Sequence, residues 1–284
     1  MSKFKTKKWT LLYKEISKLG EGGNADVYIV EDNESGSKYA LKELRSNNRS
    51  EEKKSRFVSE IMIASDNAAM IPGIIPVIDY SIEDYWYTMP IAQSIMDFVN
   101  GKSLNEIIDG VLQMCETLCK LHDKRIHHRD IKPSNIYYYD GRYAFGDFGL
   151  VDFPDNDDFT KSDRGLGAIF TIAPEMKRNP KLADASKADV FSLAKTLWMF
   201  LSGDEKGFDG VYDYLDQSHS LRYVSRFKEE HLAEIDELLK DATENNPDLR
   251  PDIYEFTKRL LLWREIAGDF DKSQNSDWKF LTKQ

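Results

Sequence analysis

Two kinds of apolar pattern divide the chain. In its first third, short apolar runs bounded by polar turns predict strands at Tyr13 to Leu19, Val77 to Tyr80 and Trp86 to Met89. One helical period interrupts them. Across Glu51 to Ala69, Phe57, Ile61 and Ala64 share a stripe, until Ile71-Pro-Gly-Ile-Ile-Pro76 breaks it. From Leu104 onward the helical period dominates: Leu104 to Lys124, Lys187 to a glycine cap at Gly203, Glu230 to Thr243 and Ile253 to Ala267. A hairpin stands between the first two, with Ile136 to Phe145 forming two short strands about an Asp140-Gly141 turn. The pattern predicts several strands with one helix among them, followed by a mainly helical region.

At 284 residues the chain is long enough for one or two domains. Its apolar runs all fall well short of the ~20 residues that span a bilayer. The start, Met1-Ser-Lys-Phe-Lys-Thr-Lys-Lys8, lacks an apolar core for a signal peptide, so a cytoplasmic location is expected and residues 1–12 read as a basic tail. With 49 acids against 39 bases the formal charge is −10, which disfavours nonspecific nucleic-acid binding. The two cysteines, Cys115 and Cys119, lie four apart in a helical period, where core packing is favoured over a redox or metal role.

The candidate chemistry is concentrated in residues 127–149. His-His-Arg-Asp-Ile-Lys-Pro-Ser-Asn sets Asp130, Lys132 and Asn135 on a loop that Pro133 keeps out of regular helix. The hairpin then returns the chain and delivers Asp147 in Gly-Asp-Phe-Gly. Two carboxylates, an amide and a lysine in one cleft suit phosphoryl transfer from a metal-bound nucleotide. A hard ion such as Mg²⁺ takes oxygen ligands and keeps several waters, while a separate carboxylate orients an attacking hydroxyl.

This stretch resembles the catalytic loop and metal-binding triplet of the eukaryotic-type protein kinase family, and Lys132 resembles its serine/threonine branch. The resemblance extends over roughly residues 13–265. It implies a bilobal α+β fold, with a lobe at 13–90, a mainly helical lobe at 91–268, and a polar tail at 269–284 that contains Trp278, Phe280 and Leu281. It also implies ATP and Mg²⁺ as cofactors and proteins bearing Ser/Thr hydroxyls as partners. Asp130 would be the base, Lys132 the charge stabiliser, and Asn135 and Asp147 the metal ligands. Lys42 and Glu60 would anchor the phosphates. Leu19, Gly20, Gly22, Gly23 and Val27 would form the loop over the nucleotide, with Ala25 where the family has its third glycine. Ala40 and Tyr137 would enclose the adenine, Met89 would close the back, and backbone groups of Ile91 and Ala92 would meet the adenine edge. Taken alone, Lys42 would read as a surface lysine and Glu60 as a solvated helix charge.

Further matches are His128 packing on Phe148, Asp189 holding the catalytic loop from below, and Arg250 pairing with Glu175 of Ala-Pro-Glu. Between Asp147 and Ala173 the segment is acidic at Asp155 to Asp158, and a phosphate on Thr160 or Ser162 would find a cation in Arg129. Two departures stand out: Ala168 replaces the family's threonine, and Thr171 replaces its tyrosine. Ala168 is the one feature that leans toward a second reading, a nucleotide-binding scaffold. A small-molecule kinase is a third, weakened by the presence of Ala-Pro-Glu and its arginine.

Overall fold

The computed structural model describes residues 8–21, 24–46, 49–149, 166–228 and 230–267. Gly22, Gly23, Asp155 to Asp158, Thr160, Ser162, Trp278, Phe280 and Leu281 lie outside the described residues.

The first lobe is an antiparallel sheet of β1 (Tyr13–Glu21), β2 (Ala25–Asp32), β3 (Lys38–Leu44), β4 (Asp79–Ser81) and β5 (Trp86–Met89), in the order β1-β2-β3-β5-β4. Its helix α1 (Glu51–Asn67) starts at Ser50, whose hydroxyl accepts from the Lys53 amide, with Glu51 and Glu52 in the first turn. The Phe57 and Ile61 stripe packs on Ala25, Leu44 and Tyr87 from the sheet. The opposite face of the sheet is also covered. Lys8–Leu11 form a 3-10 turn that seats Trp9, 0% exposed, among Tyr13, Tyr28, Val30, Leu41 and Trp86. The Trp9 indole donates to Glu43 Oε2 at 3.0 Å. Residues 8–12, expected to belong to a tail, therefore lie against the sheet. Trp9 stands in a basic run, and no local pattern shows that the sheet has a second apolar face.

The second lobe begins with β6 (Gln93–Ser94) and α2 (Ile95–Val99), then α3 (Leu104–Asp123), which opens with a reciprocal Ser103–Glu106 cap. The hairpin β7 (Ile136–Tyr139) and β8 (Arg142–Phe145) turns at Asp140 (φ +49°) and Gly141 (φ +77°), the left-handed pair that suits a two-residue hairpin. It joins β6 in a three-stranded sheet. Next come α4 (Leu166–Thr171), α5 (Pro174–Arg178), α6 (Ala185–Ser202), α7 (Ala233–Ala242) and α8 (Ile253–Ile266). Asp184 caps the start of α6 and left-handed Gly203 its end. Between those caps α6 is buried on nearly every face, as an all-round apolar helix must be.

The lobes share a core in which Ile63, Ala64, Ile71 and Ile74 pack with residues of α3, β8 and α6. Residues 73–75 also pair with β8, since the Phe145 amide donates to Gly73 O at 2.8 Å and the Ile75 amide to Phe145 O at 2.9 Å. Gly73 is required there: its φ is +101°, and a Cβ would lie 2.2 Å from Thr117 Oγ1. The result is the two-lobed α+β arrangement expected from the sequence. Among the described residues, no helix is long and apolar enough to cross a membrane.

Candidate active site

The site lies where β3, α1, the 127–135 loop and the end of β8 meet. Alternation along β3 points Ala40 and Lys42 to one face. Lys42 Nζ reaches Glu60 Oε1 at 2.6 Å and Asp147 Oδ1 at 3.4 Å. The Tyr87 hydroxyl donates to the same Glu60 oxygen at 2.7 Å. Burial works against the Lys42 ammonium, but Asp147 and Glu60 hold its pKa well above the ordinary lysine value. Burial likewise works against the Asp147 carboxylate, and Lys42, then Lys132, bring it below the ordinary carboxylate range. Asp147 sits at φ +59°, a strained conformation for a non-glycine residue, and its side chain stays 44% exposed. A charged lysine therefore faces an ionised, accessible carboxylate.

Asp189 of α6 holds the loop from below. Its oxygens accept from the His128 amide at 2.8 Å, the Arg129 amide at 2.7 Å and His122 Nε2 at 3.0 Å. Arg129 has φ +62°, a turn stabilised by these backbone bonds. The His128 ring packs on Phe148 with centroids 4.9 Å apart, and its Nε2–H donates to Gly146 O at 3.1 Å. Pro133 opens a single 3-10 turn, Pro133–Asn135, which brings Asn135 back toward Asp130. Asn135 Nδ2 donates to Asp130 O and to Asp130 Oδ2, both at 2.9 Å, and Lys132 Nζ donates to Oδ2 at 2.7 Å. Among the described residues, Asp130 Oδ1 accepts from no side chain. The Gly146 amide donates to Asn135 O at 2.9 Å, so Asn135 and Asp147 are neighbours.

The donor set fits a hard divalent cation. Both Asn135 amide hydrogens are committed to Asp130, which leaves Oδ1 as its uncommitted polar atom, on a residue whose backbone O bonds the amide of Gly146, next to the accessible Asp147. Two oxygen ligands, with water and phosphate oxygens completing the shell, suit Mg²⁺.

At the other end of the cleft, Leu19 is exposed on β1 while Gly20 pairs with Val27, and Val27 pairs with Lys42. Met89 pairs with Ala40 at the end of β5, and Ile91 and Ala92 lie in the irregular stretch before β6. The Tyr137 ring lies against Gly146, where a Cβ would sit 3.0 Å from its Cε2. Burial, then Asp147, raises the Tyr137 phenol above its ordinary pKa. Ala25, at the third glycine position, turns its methyl into the α1–sheet core. Ala168 falls within α4, and Thr171 is buried.

Arg250 donates two parallel hydrogen bonds to Glu175, Nη1 to Oε1 at 2.6 Å and Nη2 to Oε2 at 2.8 Å. The structure thus brings together Lys42, Glu60, Asp130, Lys132, Asn135, Asp147 and Tyr137, with Ala40 and Met89 alongside. Sequence reasoning missed Tyr87 and His122. Tyr87 lies two residues before Met89 on the same strand, so period-two alternation was the available signal. For His122, one helical turn before the loop, the sequence offered none.

A family model described as "Protein kinase domain" matches residues 13–264. Serine/threonine-protein kinase PrkC of Bacillus subtilis is 28% identical over 213 residues, which are 70% of this chain and 31% of PrkC. The protein named "Probable serine/threonine-protein kinase YbdM", from the same bacterium, is 29% identical over 69% of this chain and 71% of its own length. Serine/threonine-protein kinase Nek1 of Mus musculus is 25% identical over 66% of this chain and 16% of its own. The chain therefore spans about a third of PrkC and a sixth of Nek1.

Proposed function

The chain belongs to the protein kinase family, and from that premise we propose that it transfers the γ-phosphoryl group of ATP to serine or threonine hydroxyls of proteins. The observation that carries this reading is the division of labour at Asp130. Lys132 and Asn135 both occupy Oδ2, which leaves Oδ1 to orient an incoming hydroxyl and take its proton. Lys132 then stabilises charge on the moving group, and Lys42, held by Glu60, steadies the phosphates. Mg²⁺, held by Asn135 Oδ1 and Asp147, would neutralise phosphate charge. Ala40, Met89 and Tyr137 would enclose the base, and Ile91 and Ala92 would present backbone groups to its edge.

We also assign Arg129 a role toward the 150–165 segment. Its Nε is buried with no partner among the described residues, which suits a phosphate on Thr160 or Ser162. Phosphopeptide mapping after incubation with ATP tests that assignment, and no phosphate at either residue refutes it.

Radiolabelled phosphate transfer to a serine/threonine-containing protein tests the main reading. Asp130→Asn should fall about 100-fold or more below wild type, the scale of losing a general base. Equal background transfer by both proteins would favour the scaffold reading.

A further inference from the structure

Glu60 Oε1 accepts two hydrogen bonds, from Lys42 Nζ at 2.6 Å and from the Tyr87 hydroxyl at 2.7 Å. Tyr87 stands directly opposite Lys42 in the β3–β5 ladder, so both side chains leave the same face of the sheet. Tyr87 is 4% exposed, and its ring packs on Phe57 of α1 with centroids 5.5 Å apart. Ala25, Leu44 and Ile61 complete its surroundings. This packing aims the hydroxyl at the only carboxylate that α1 buries. At the other end of α1, Lys124 Nζ donates to Asn67 Oδ1 at 3.0 Å, and Asn67 Nδ2 donates to Ile63 O at 2.9 Å. Polar bonds therefore hold α1 at two points, one to each lobe.

We infer that Tyr87 is a positioning residue whose hydroxyl holds Glu60, and through it α1, against the sheet independently of Lys42. The inference rests on the reading of Lys42 as a phosphate anchor. Under that reading one ammonium serves Glu60, Asp147 at 3.4 Å and a phosphate together. As the phosphate draws the ammonium away, a buried Glu60 with no other donor would be an unpaired charge, which is costly. A second donor on the same oxygen removes that cost, because a hydroxyl to a carboxylate is a strong, charge-assisted bond. The ring alone does not account for the arrangement, since a phenylalanine would fill the same space against Phe57.

Amide hydrogen exchange of α1 reads this tether without any phosphotransfer. In Lys42→Met protein, Tyr87 still donates to Glu60 and α1 keeps its protection. Adding Tyr87→Phe raises α1 exchange about tenfold, the scale of losing a hydrogen bond to a charged group, while α6 stays protected. Equal α1 exchange in the single and double variants overturns the inference. Should the double variant fail to fold, Tyr87→Phe with a non-hydrolysable ATP analogue bound decides, because the phosphate then competes for Lys42: exchange raised above wild type and confined to α1 supports the tether, and unchanged exchange overturns it. In phosphotransfer, Tyr87→Phe raises KM for ATP about fivefold with a smaller change in kcat, the split expected when nucleotide anchoring loosens. An unchanged KM also counts against it. If the wild-type chain transfers no phosphate above Asp130→Asn, the kinase reading falls while the exchange comparison still decides the role of Tyr87.

Discussion

Gly146 and Tyr137 are a matched pair. Gly146 has no positive φ, so its backbone does not call for glycine. The space does: an added Cβ would sit 3.0 Å from Tyr137 Cε2 and 3.4 Å from Cδ2. Gly146→Ala should therefore push the ring toward the cleft and cost about 1–3 kcal/mol, the usual penalty for overpacking. Urea unfolding and binding of a fluorescent ATP analogue would show both effects, and Tyr137→Leu in the same chain should restore both by vacating the ring's space. No rescue would mean that the ring and the glycine are independent. At this scale the sequence was informative wherever chemistry sits at short spacing: Asp130, Lys132 and Asn135 lie within six residues, and Asp147 follows twelve later. It was silent where a role depends on a distant partner. The bond from Tyr87 to Glu60 spans 27 positions; alternation places Tyr87 on the face of Met89 but does not reveal that bond.

At the scale of elements, Arg250 ties α5 and the stretch after α7 to the start of α6. Besides its paired hydrogen bonds to Glu175 of α5, its Nε donates to Glu244 O at 2.7 Å and its Nη1 to Lys187 O at 3.2 Å in the first turn of α6. Lys187 Nζ returns a bond to Arg250 O at 2.6 Å. The Arg250 side chain is 0% exposed and Glu175 only 16% exposed, so truncation leaves a largely buried carboxylate without its partner. Arg250→Ala should destabilise the protein by about 3–5 kcal/mol in urea unfolding, the cost of breaking a buried pair from one side. Arg250→Lys should recover only part, because an ammonium cannot match the two-pronged contact. A loss under about 1 kcal/mol for Arg250→Ala would mean the pair behaves as a surface ion pair. Long elements were legible because a cap and several turns of period agree: Ser50 for α1, Ser103 with Glu106 for α3, Gly203 for α6. The helices α2, α4 and α5 span only five, six and five residues, too few to express a period, and they went unread.

Over the whole molecule, α6 is the post on which the helical lobe is built, and it carries a cation in its core. Lys195 is 2% exposed; its Nζ donates to Phe208 O at 3.0 Å and Gly210 O at 2.5 Å, and lies 3.3 Å from the Phe208 ring centroid. The apolar run around Lys195 gives no sign of where its amine goes, and only the packed lobe reveals it. Burial pulls the amine down to about 7, with Asp209 opposing and Lys177 reinforcing that shift. In the unfolded chain Lys195 keeps its ordinary value of 10.5, so between these two values the unfolded state binds more protons. Stability should therefore rise with pH across that window, by up to about 1.4 kcal/mol per pH unit from this residue. Below the window both states are protonated and the contribution is flat at its least favourable level. Urea unfolding in steps from about pH 7 to about pH 10 would measure the climb, and Lys195→Met should remove it. Equal slopes in the two proteins would mean that two carbonyls and an aromatic face hold the buried ammonium as firmly as water does.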